Sequence, residues 1–338
     1  MSVFSSLYHA SPPGVAVEIT SAQVSAAAVD WRGGRPVVAT HAAEALAEGA
    51  LVPSLTAANV HDRSAVMRIV TAVLEQVGRP RRIGLILPDL VSKVSLVRFE
   101  QVPARAADLD QLVRWQVRKA APFAIEDAQV SYAPGLKAPD GQEFIVSLAK
   151  RSVIEEYEGL CADAGAHAGL VDISTFSVIN AVLASGTVSP MTDWLLVHMA
   201  ADCASIAILR GPHVIFFRNR TAETEGTLAD LVHQTAMYYE DRLKGGGFSR
   251  VVLAGGAGQH TYDRGIGIAG VSDIEHVRRK LQERLGETST KIESVDVTAS
   301  ATLADRISVS GAMGDTLAPL VGLLLRDSVT AASRGSAA

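Results

Sequence analysis

One supersecondary pattern occurs twice in this chain, and no other feature of the sequence limits its possible folds as much. From Gly14, three β-favouring runs follow one another: Val15-Ala16-Val17-Glu18-Ile19, Val24 to Trp31, and Arg35 to Thr40 after a Gly33-Gly34 turn. Short runs of this kind between turn signals predict an antiparallel meander. A segment capped by Ser64 then places Val66, Met67, Val70, Val73, Leu74 and Val77 on one helical face and ends at Gly78, as a helix should. Ile83 to Leu87 follows as a short apolar run suited to a buried strand. About 180 residues later the same order returns. Trp194 to Met199, Ala204 to Leu209 and His213 to Arg218 repeat the meander around a Gly211-Pro212 turn. A helix carrying Leu228, Leu231, Val232, Thr235, Tyr239 and Leu243 ends at Gly245-Gly246-Gly247, and the strand Arg250 to Ala254 completes the second copy. Two strand-strand-strand-helix-strand units in tandem predict a duplicated α/β fold.

The stretch between the copies breaks the pattern and reads as an inserted α/β subdomain. It carries a helix from Asp108 to Ala121, stopped by Pro122, with Leu109, Leu112, Val113, Gln116 and Val117 near one face. A strand pair over 128–135 and 143–149 follows, and then a capping-box spacing at Ser152-Val153-Ile154-Glu155 opens a helix to Gly165. After the second copy, Ser272-Asp273-Ile274-Glu275 predicts another capped helix to Gly286, and Thr316 to Arg326 a closing amphipathic one.

Composition narrows the function classes. With 338 residues, 48% hydrophobic and 20% charged, the chain excludes disorder and fits two domains. A net charge of -5 without a long basic block argues against nucleic acid as the partner; the Arg79-Pro80-Arg81-Arg82 cluster reads as a solvated turn. No run approaches the roughly 18 apolar residues of a membrane-spanning helix, so no transmembrane segment is expected. Met1 to Gly14 lacks the basic and apolar blocks of a secretory leader, which predicts a cytoplasmic location. Cys161 and Cys203 lie on separate apolar segments, as reduced thiols packed like small hydrophobes do, and no metal site is expected.

A duplicated meander with helices resembles the actin-like (RNase H-like) ATPases and sugar kinases. The inserted region narrows the resemblance. Leu87-Pro88-Asp89, Arg98 to Pro103, Val113-Arg114-Trp115-Gln116-Val117, Ala121 to Asp127 and Val130-Ser131-Tyr132 are similar, in that order, to the PilM family of type IV pilus assembly proteins. Ile154-Glu155-Glu156-Tyr157, Ala164-Gly165, Val171-Asp172-Ile173 and Ala318 to Arg326 extend the similarity over about residues 14 to 326. The resemblance implies an actin-like subdomain 1A over 13–86, 166–193 and 314–328, an inserted subdomain 1C over 87–165, and a second half over 194–313.

It also implies ATP and Mg²⁺ as ligands, held by two phosphate turns and a glycine loop. The first turn, Asp-Ile-Gly with small hydroxyl residues in the family, corresponds to Glu18-Ile19-Thr20-Ser21: the glycine is gone and Glu18 keeps a carboxylate for residual Mg²⁺ contact. The second corresponds to His198-Met199-Ala200-Ala201-Asp202, without acid or glycine at the motif positions. Asp202 would add a negative charge near the phosphates, a repulsion of roughly 1–4 kcal/mol at 4 Å in a partly solvated site. Only Gly255-Gly256-Ala257-Gly258, bordering the adenosine, stays close to pattern, and a glycine cluster at a strand end is also an ordinary tight turn. The candidate nucleotide residues are thus Glu18, Thr20, Ser21, Gly255, Gly256 and Gly258, with no catalytic residue assigned. No Walker A sequence occurs, and His198, a lone histidine at a strand end, reads as local packing or hydrogen bonding rather than a base.

On the partner side, the resemblance implies a cytoplasmic adaptor that binds the short N-terminal tail of the membrane protein PilN between subdomains 1A and 1C. It also implies contacts to pilus motor ATPases and the platform protein, and self-association in the assembled machine. Candidate tail-binding residues are Arg98, Arg114, Trp115 and Arg118, although Arg114 and Arg118 at i and i+4 are equally an ordinary solvated helix face. The rival readings are an active ATPase or kinase, which needs intact phosphate turns, and scaffolds resembling FtsA or the type II secretion L protein. The former expects a C-terminal amphipathic membrane helix, the latter a transmembrane one.

Overall fold

A computed structural model describes residues 13–189, 191–221, 228–255, 278–279, 282–283, 290–304, 307 and 311–335. The first half begins with β1 (Val15–Ile19), β2 (Gln23–Arg32), β3 (Arg35–Ala45), α1 (Arg63–Gln76) and β4 (Arg82–Leu87). The insertion holds β5 (Ser92–Phe99), α2 (Ala106–Val117), β6 (Ala128–Ala138), β7 (Gly141–Lys150) and α3 (Arg151–Asp163). Then come β8 (His167–Ile173) and α4 (Ser174–Ala184), and in the second half β9 (Asp193–Met199), β10 (Cys203–Arg210), β11 (His213–Thr221), α5 (Leu228–Arg242), β12 (Arg250–Gly255), β13 (Lys291–Ser294) and β14 (Thr302–Leu303). Helix α6 (Gly311–Gly335) closes the order.

The duplication is visible in the sheets. In the first, ordered β14-β3-β2-β1-β4-β8, the short central β1 pairs antiparallel with β2 and parallel with β4. In the second, ordered β11-β10-β9-β12-β13, β9 pairs antiparallel with β10 and parallel with β12. Each central strand is buried on both faces, which explains why Val15–Ile19 and Trp194–Met199 read as continuous apolar runs instead of alternating ones. The insertion is a separate β5-β7-β6 sheet with its own core of Phe99, Val113, Val130, Phe144, Val146 and Leu148, and β5 and β6 also lie against β11 of the second half.

Helices α4 and α6 pack together between the two large sheets. The core around them draws Ile86 from the first half, Trp194 and Leu196 from the second, and Val178, Leu320 and Leu324 from the helices. The helices touch backbone to backbone at Gly322: a Cβ there would meet the Ser177 carbonyl oxygen at 1.7 Å. Both cysteines are buried free thiols, and burial pushes Cys161 up to about 12.

Two helix starts differ from the sequence reading. The N-cap of α1 is Asp62, not Ser64: its carboxylate accepts from the Ala65 amide at 2.9 Å, and the Ser64 hydroxyl is drawn to the same oxygen at 2.7 Å. Helix α3 starts at Arg151 with no side-chain cap, because β7 runs straight into it and leaves Lys150, a strand residue, at the cap position. Strands β5 and β8 and helix α4 had no clear sequence signal. The capping box expected at Ser272 and most of the helix from there to Gly286 fall outside the described residues; within that span 278–279 and 282–283 are helical.

Gly322→Ala is expected to destabilise the protein by about 3 kcal/mol, since neither helix backbone can yield at that contact. A denaturant melt checks this; an unchanged midpoint would mean that α4 and α6 do not approach so closely.

Candidate functional site

The carboxyl ends of the central parallel strands are where an open α/β sheet binds its ligands. In this chain those ends face each other across the two halves, bringing Glu18 at the end of β1, Leu87 at the end of β4 and His198 at the end of β9 around one buried cluster. At its centre lies Asp89, in a short 3-10 turn (Asp89–Val91) directly after β4, with its side chain almost wholly buried.

The Asp89 carboxylate is fully engaged. Oδ1 accepts the Thr175 amide at 3.0 Å; Oδ2 accepts the Thr175 hydroxyl and the Ser205 hydroxyl, the latter at 2.7 Å. Thr175 Oγ1 lies 2.8 Å from His198 Nδ1, so the ring N–H donates to the threonine oxygen while the threonine proton goes to Asp89. The backbone carbonyl of Asp89 accepts from Asn219 Nδ2 at 3.4 Å. Beside this, Glu18 Oε1 accepts from the Ser174 hydroxyl at 2.5 Å. The first half thus supplies Glu18, Asp89, Ser174 and Thr175, and the second His198, Ser205 and Asn219.

Electrostatics follow from burial and pairing. Burial alone would push Asp89 up, but the His198 ring 3.6 Å away and hydrogen bonds from Ser205 and Thr175 hold it below the usual carboxylate range. Burial would likewise push His198 down, and its close contact with Asp89 together with the charges of Glu18 and Asp315 raises it above an ordinary histidine. Glu18 is pushed up to about 7, chiefly by desolvation. The cluster therefore centres on the His198–Asp89 pair, 3.6 Å apart, whose contact favours imidazolium and carboxylate, next to a glutamic acid that exchanges its proton at about pH 7.

The two turns flanking this cluster are bonded largely from within, although Asp202 Oδ2 in the second is buried without a partner. Thr20 Oγ1 accepts the Ala22 and Gln23 amides at 3.3 and 3.1 Å and donates to the Gln23 carbonyl at 3.0 Å, so the N–H groups that would face an anion are already used. In the second turn the Ala200 amide donates to the Cys203 carbonyl at 2.9 Å. The Ser21 hydroxyl lies beside Asp202, whose carboxyl is pushed up by burial. On the glycine side, the Gly255 amide donates to Asp315 Oδ1 at 2.9 Å. Gly255 is needed for packing: φ is +77° and a Cβ would stand 2.0 Å from the Met199 carbonyl oxygen. Gly256 and Gly258 lie outside the described residues. Residues so arranged fit a nucleotide triphosphate with Mg²⁺ poorly: the Thr20, Ala22, Gln23 and Ala200 amides and the Glu18 and Asp89 carboxylates already have partners within the chain, and Asp202, whose Oδ2 is buried without one, would set a further acid against the phosphates.

The tail-binding candidates lie on the insertion. Arg114 Nε donates to Asp110 Oδ2 at 2.8 Å one helical turn away, Trp115 is 67% exposed, and Arg118 is exposed at the end of α2. Arg98 pairs with Asp140 in the β6–β7 turn. Lys93 Nζ, bonded to the Ala120 carbonyl, marks where the end of α2 meets β5. Arg98 stands five residues further along that strand, about 17 Å at roughly 3.4 Å per residue. Arg114, Trp115 and Arg118 thus share α2 and the turn that follows it, while Arg98 lies on β5.

A protein-family profile described as "Type IV pilus assembly protein PilM" matches residues 16–244. The chain belongs to the PilM family. Among solved structures, the chain is similar over 93% of its length, and 98% of the other chain, to one titled "PilM-PilN type IV pilus biogenesis complex", with 17% identity and a TM-score of 0.75. It also matches a Bacteroides thetaiotaomicron protein of actin-like ATPase fold and unknown function (9% identity, 82% of this chain and 89% of that one, TM-score 0.48). The cytoplasmic domain of EpsL, an inner-membrane component of the Vibrio cholerae type II secretion system, matches at 11% identity over 71% and 80% of the chains, with a TM-score of 0.43. No curated protein matches. The fold is the α/β actin-like ATPase fold, and no helix among the described residues is long and apolar enough to cross a membrane.

Glu18 provides a direct test of the cluster's charge state. Folded, it keeps its proton up to about 7, while unfolded it releases it near 4.5. Folding is thus favoured at low pH, and about 3 kcal/mol of stability is lost as pH rises between those values. Glu18→Gln is expected to remove that slope and to be more stable than the parent at pH 8, leaving the loss due to His198. Equal pH profiles for the two proteins would show that Glu18 is ionised in the folded state.

Proposed function

We propose that this chain is a cytoplasmic adaptor of the type IV pilus assembly machine that binds the short N-terminal tail of a PilN-like membrane protein. Through that tail it links the membrane-anchored alignment complex to the motor and platform, and its nucleotide site is weak or vestigial. The observation that carries this reading is the near-complete overlap with the solved PilM–PilN complex, in a chain that belongs to the same family. The self-satisfied turns at Thr20 and Ala200 support the second part. An active ATPase or kinase would need the turn amides and carboxylates free for phosphate and metal, which makes it the weaker reading.

The tail would lie between the first half and the insertion, an extended peptide satisfying its backbone along the chain while alternate side chains enter pockets. The exposed end of α2, with Arg114, Trp115 and Arg118, is offered as part of that surface. Contacts to the motor ATPases and to further copies belong to the same proposal.

A calorimetric titration with a synthetic peptide of the cognate PilN-like cytoplasmic N-terminus tests it. Saturable binding is expected without added nucleotide and unchanged by it, and Trp115→Ala is expected to weaken it at least tenfold without shifting Tm. Absence of binding would sink the adaptor reading. Binding unaffected by Trp115→Ala would move the tail site away from α2.

A further inference from the structure

We propose that the Glu18–Asp89–His198 cluster is a built-in latch that replaces nucleotide and cation in holding the two halves together, so that closure is constitutive. The proposal rests on the reading that nucleotide binding is vestigial, and adds how the halves stay closed without it.

The duplication carries the argument. In β1 and β2, Glu18 stands opposite Ser25; in β9 and β10, His198 stands opposite Ser205. The two turns that follow close with the same bond, Thr20 to Gln23 in one half and Ala200 to Cys203 in the other. Glu18 and His198 therefore occupy equivalent positions of the two repeats, close enough across the cleft for each to act on the other's charge. Two acids at such positions repel each other and need a cation between them. An acid facing an imidazole does not, and Asp89, with Oδ2 3.6 Å from His198 Nδ1, completes the charge balance by favouring the protonated ring and the ionised carboxylate.

The hydroxyls have specialised in the same way. Ser205 bonds Asp89 across the cleft, whereas its counterpart Ser25 is equally buried and its hydroxyl has no partner. Thr175, at the start of α4, ties both sides together by touching Asp89 and His198 at once. The cluster lies where a ligand would otherwise bridge the strand ends, while the apolar core around α4 and α6 joins the halves elsewhere. Besides the cluster, β11 meets β5 and β6 of the insertion and so helps to close the same side.

Hydrogen–deuterium exchange on the full chain without nucleotide tests the latch, read at the turns 19–23, 88–91 and 199–203 against the helical amides of α1. In the parent protein the turns are expected to exchange slowly. Ser205→Ala and Thr175→Val are each expected to speed exchange in all three turns at least tenfold while α1 stays protected, and Ser25→Ala to leave them unchanged. Fast turn exchange in the parent overturns the latch even if a variant fails to fold. So does unchanged exchange in both cleft variants, or an equal effect of Ser25→Ala. Adding Mg-ATP separates the two levels: slowed exchange with nucleotide overturns the vestigial reading, while fast exchange that nucleotide does not alter overturns the latch and leaves that reading standing.

Discussion

A buried carboxylate without a metal partner must find its compensation in the protein, and in this chain Asp89 does so from both halves at once. An isolated charge in such a place costs several kcal/mol. That cost vanishes only when every lone pair has a donor and a counter-charge is near. The Thr175 amide and hydroxyl, the Ser205 hydroxyl and the His198 imidazolium supply both. Because those donors come from α4, β9 and β10, satisfying one side chain fixes the positions of three elements across the cleft. Specificity of arrangement, more than net stability, is what a buried polar network of this kind contributes.

The rest of the architecture supports that cluster. Two equivalent sheets bring the ends of β1 and β9 to one cluster, α4 starts where its first residues reach it, and the close contact at Gly322 fixes α6 against α4. The insertion, lying on β11, closes the same side from outside.

Much of the fold was legible in the sequence because the duplication imposes long-range order that local propensity cannot. The paired meanders, their glycine turns and the following helices announced themselves twice, and the ordered motifs of the insertion pointed to the family. The cluster was legible only in part. Glu18 and His198 stood out as departures from a phosphate-turn pattern, but His198 read as local packing, while its partner is Asp89 through Thr175. Asp89 was visible only as part of Leu87-Pro88-Asp89, since its partners Thr175 and Ser205 are 86 and 116 residues away and no periodicity encodes such a contact. Strand β8 and helix α4 were missed for a related reason. His167–Ile173 has no clean alternation, and Ser174–Ala184 starts with hydroxyl residues that favour turns in isolation but bond Glu18 and Asp89 in the folded protein.

If the cleft is closed by its own side chains, Mg-ATP has no site of useful strength to enter. Calorimetric titration of the protein with Mg-ATP, at concentrations that detect a Kd up to about 1 mM, or about -4 kcal/mol, measures this most directly. No saturable heat is the expected result. Saturable binding in the micromolar range would show that the cluster rearranges for a nucleotide, and would contradict a cleft satisfied by the chain itself.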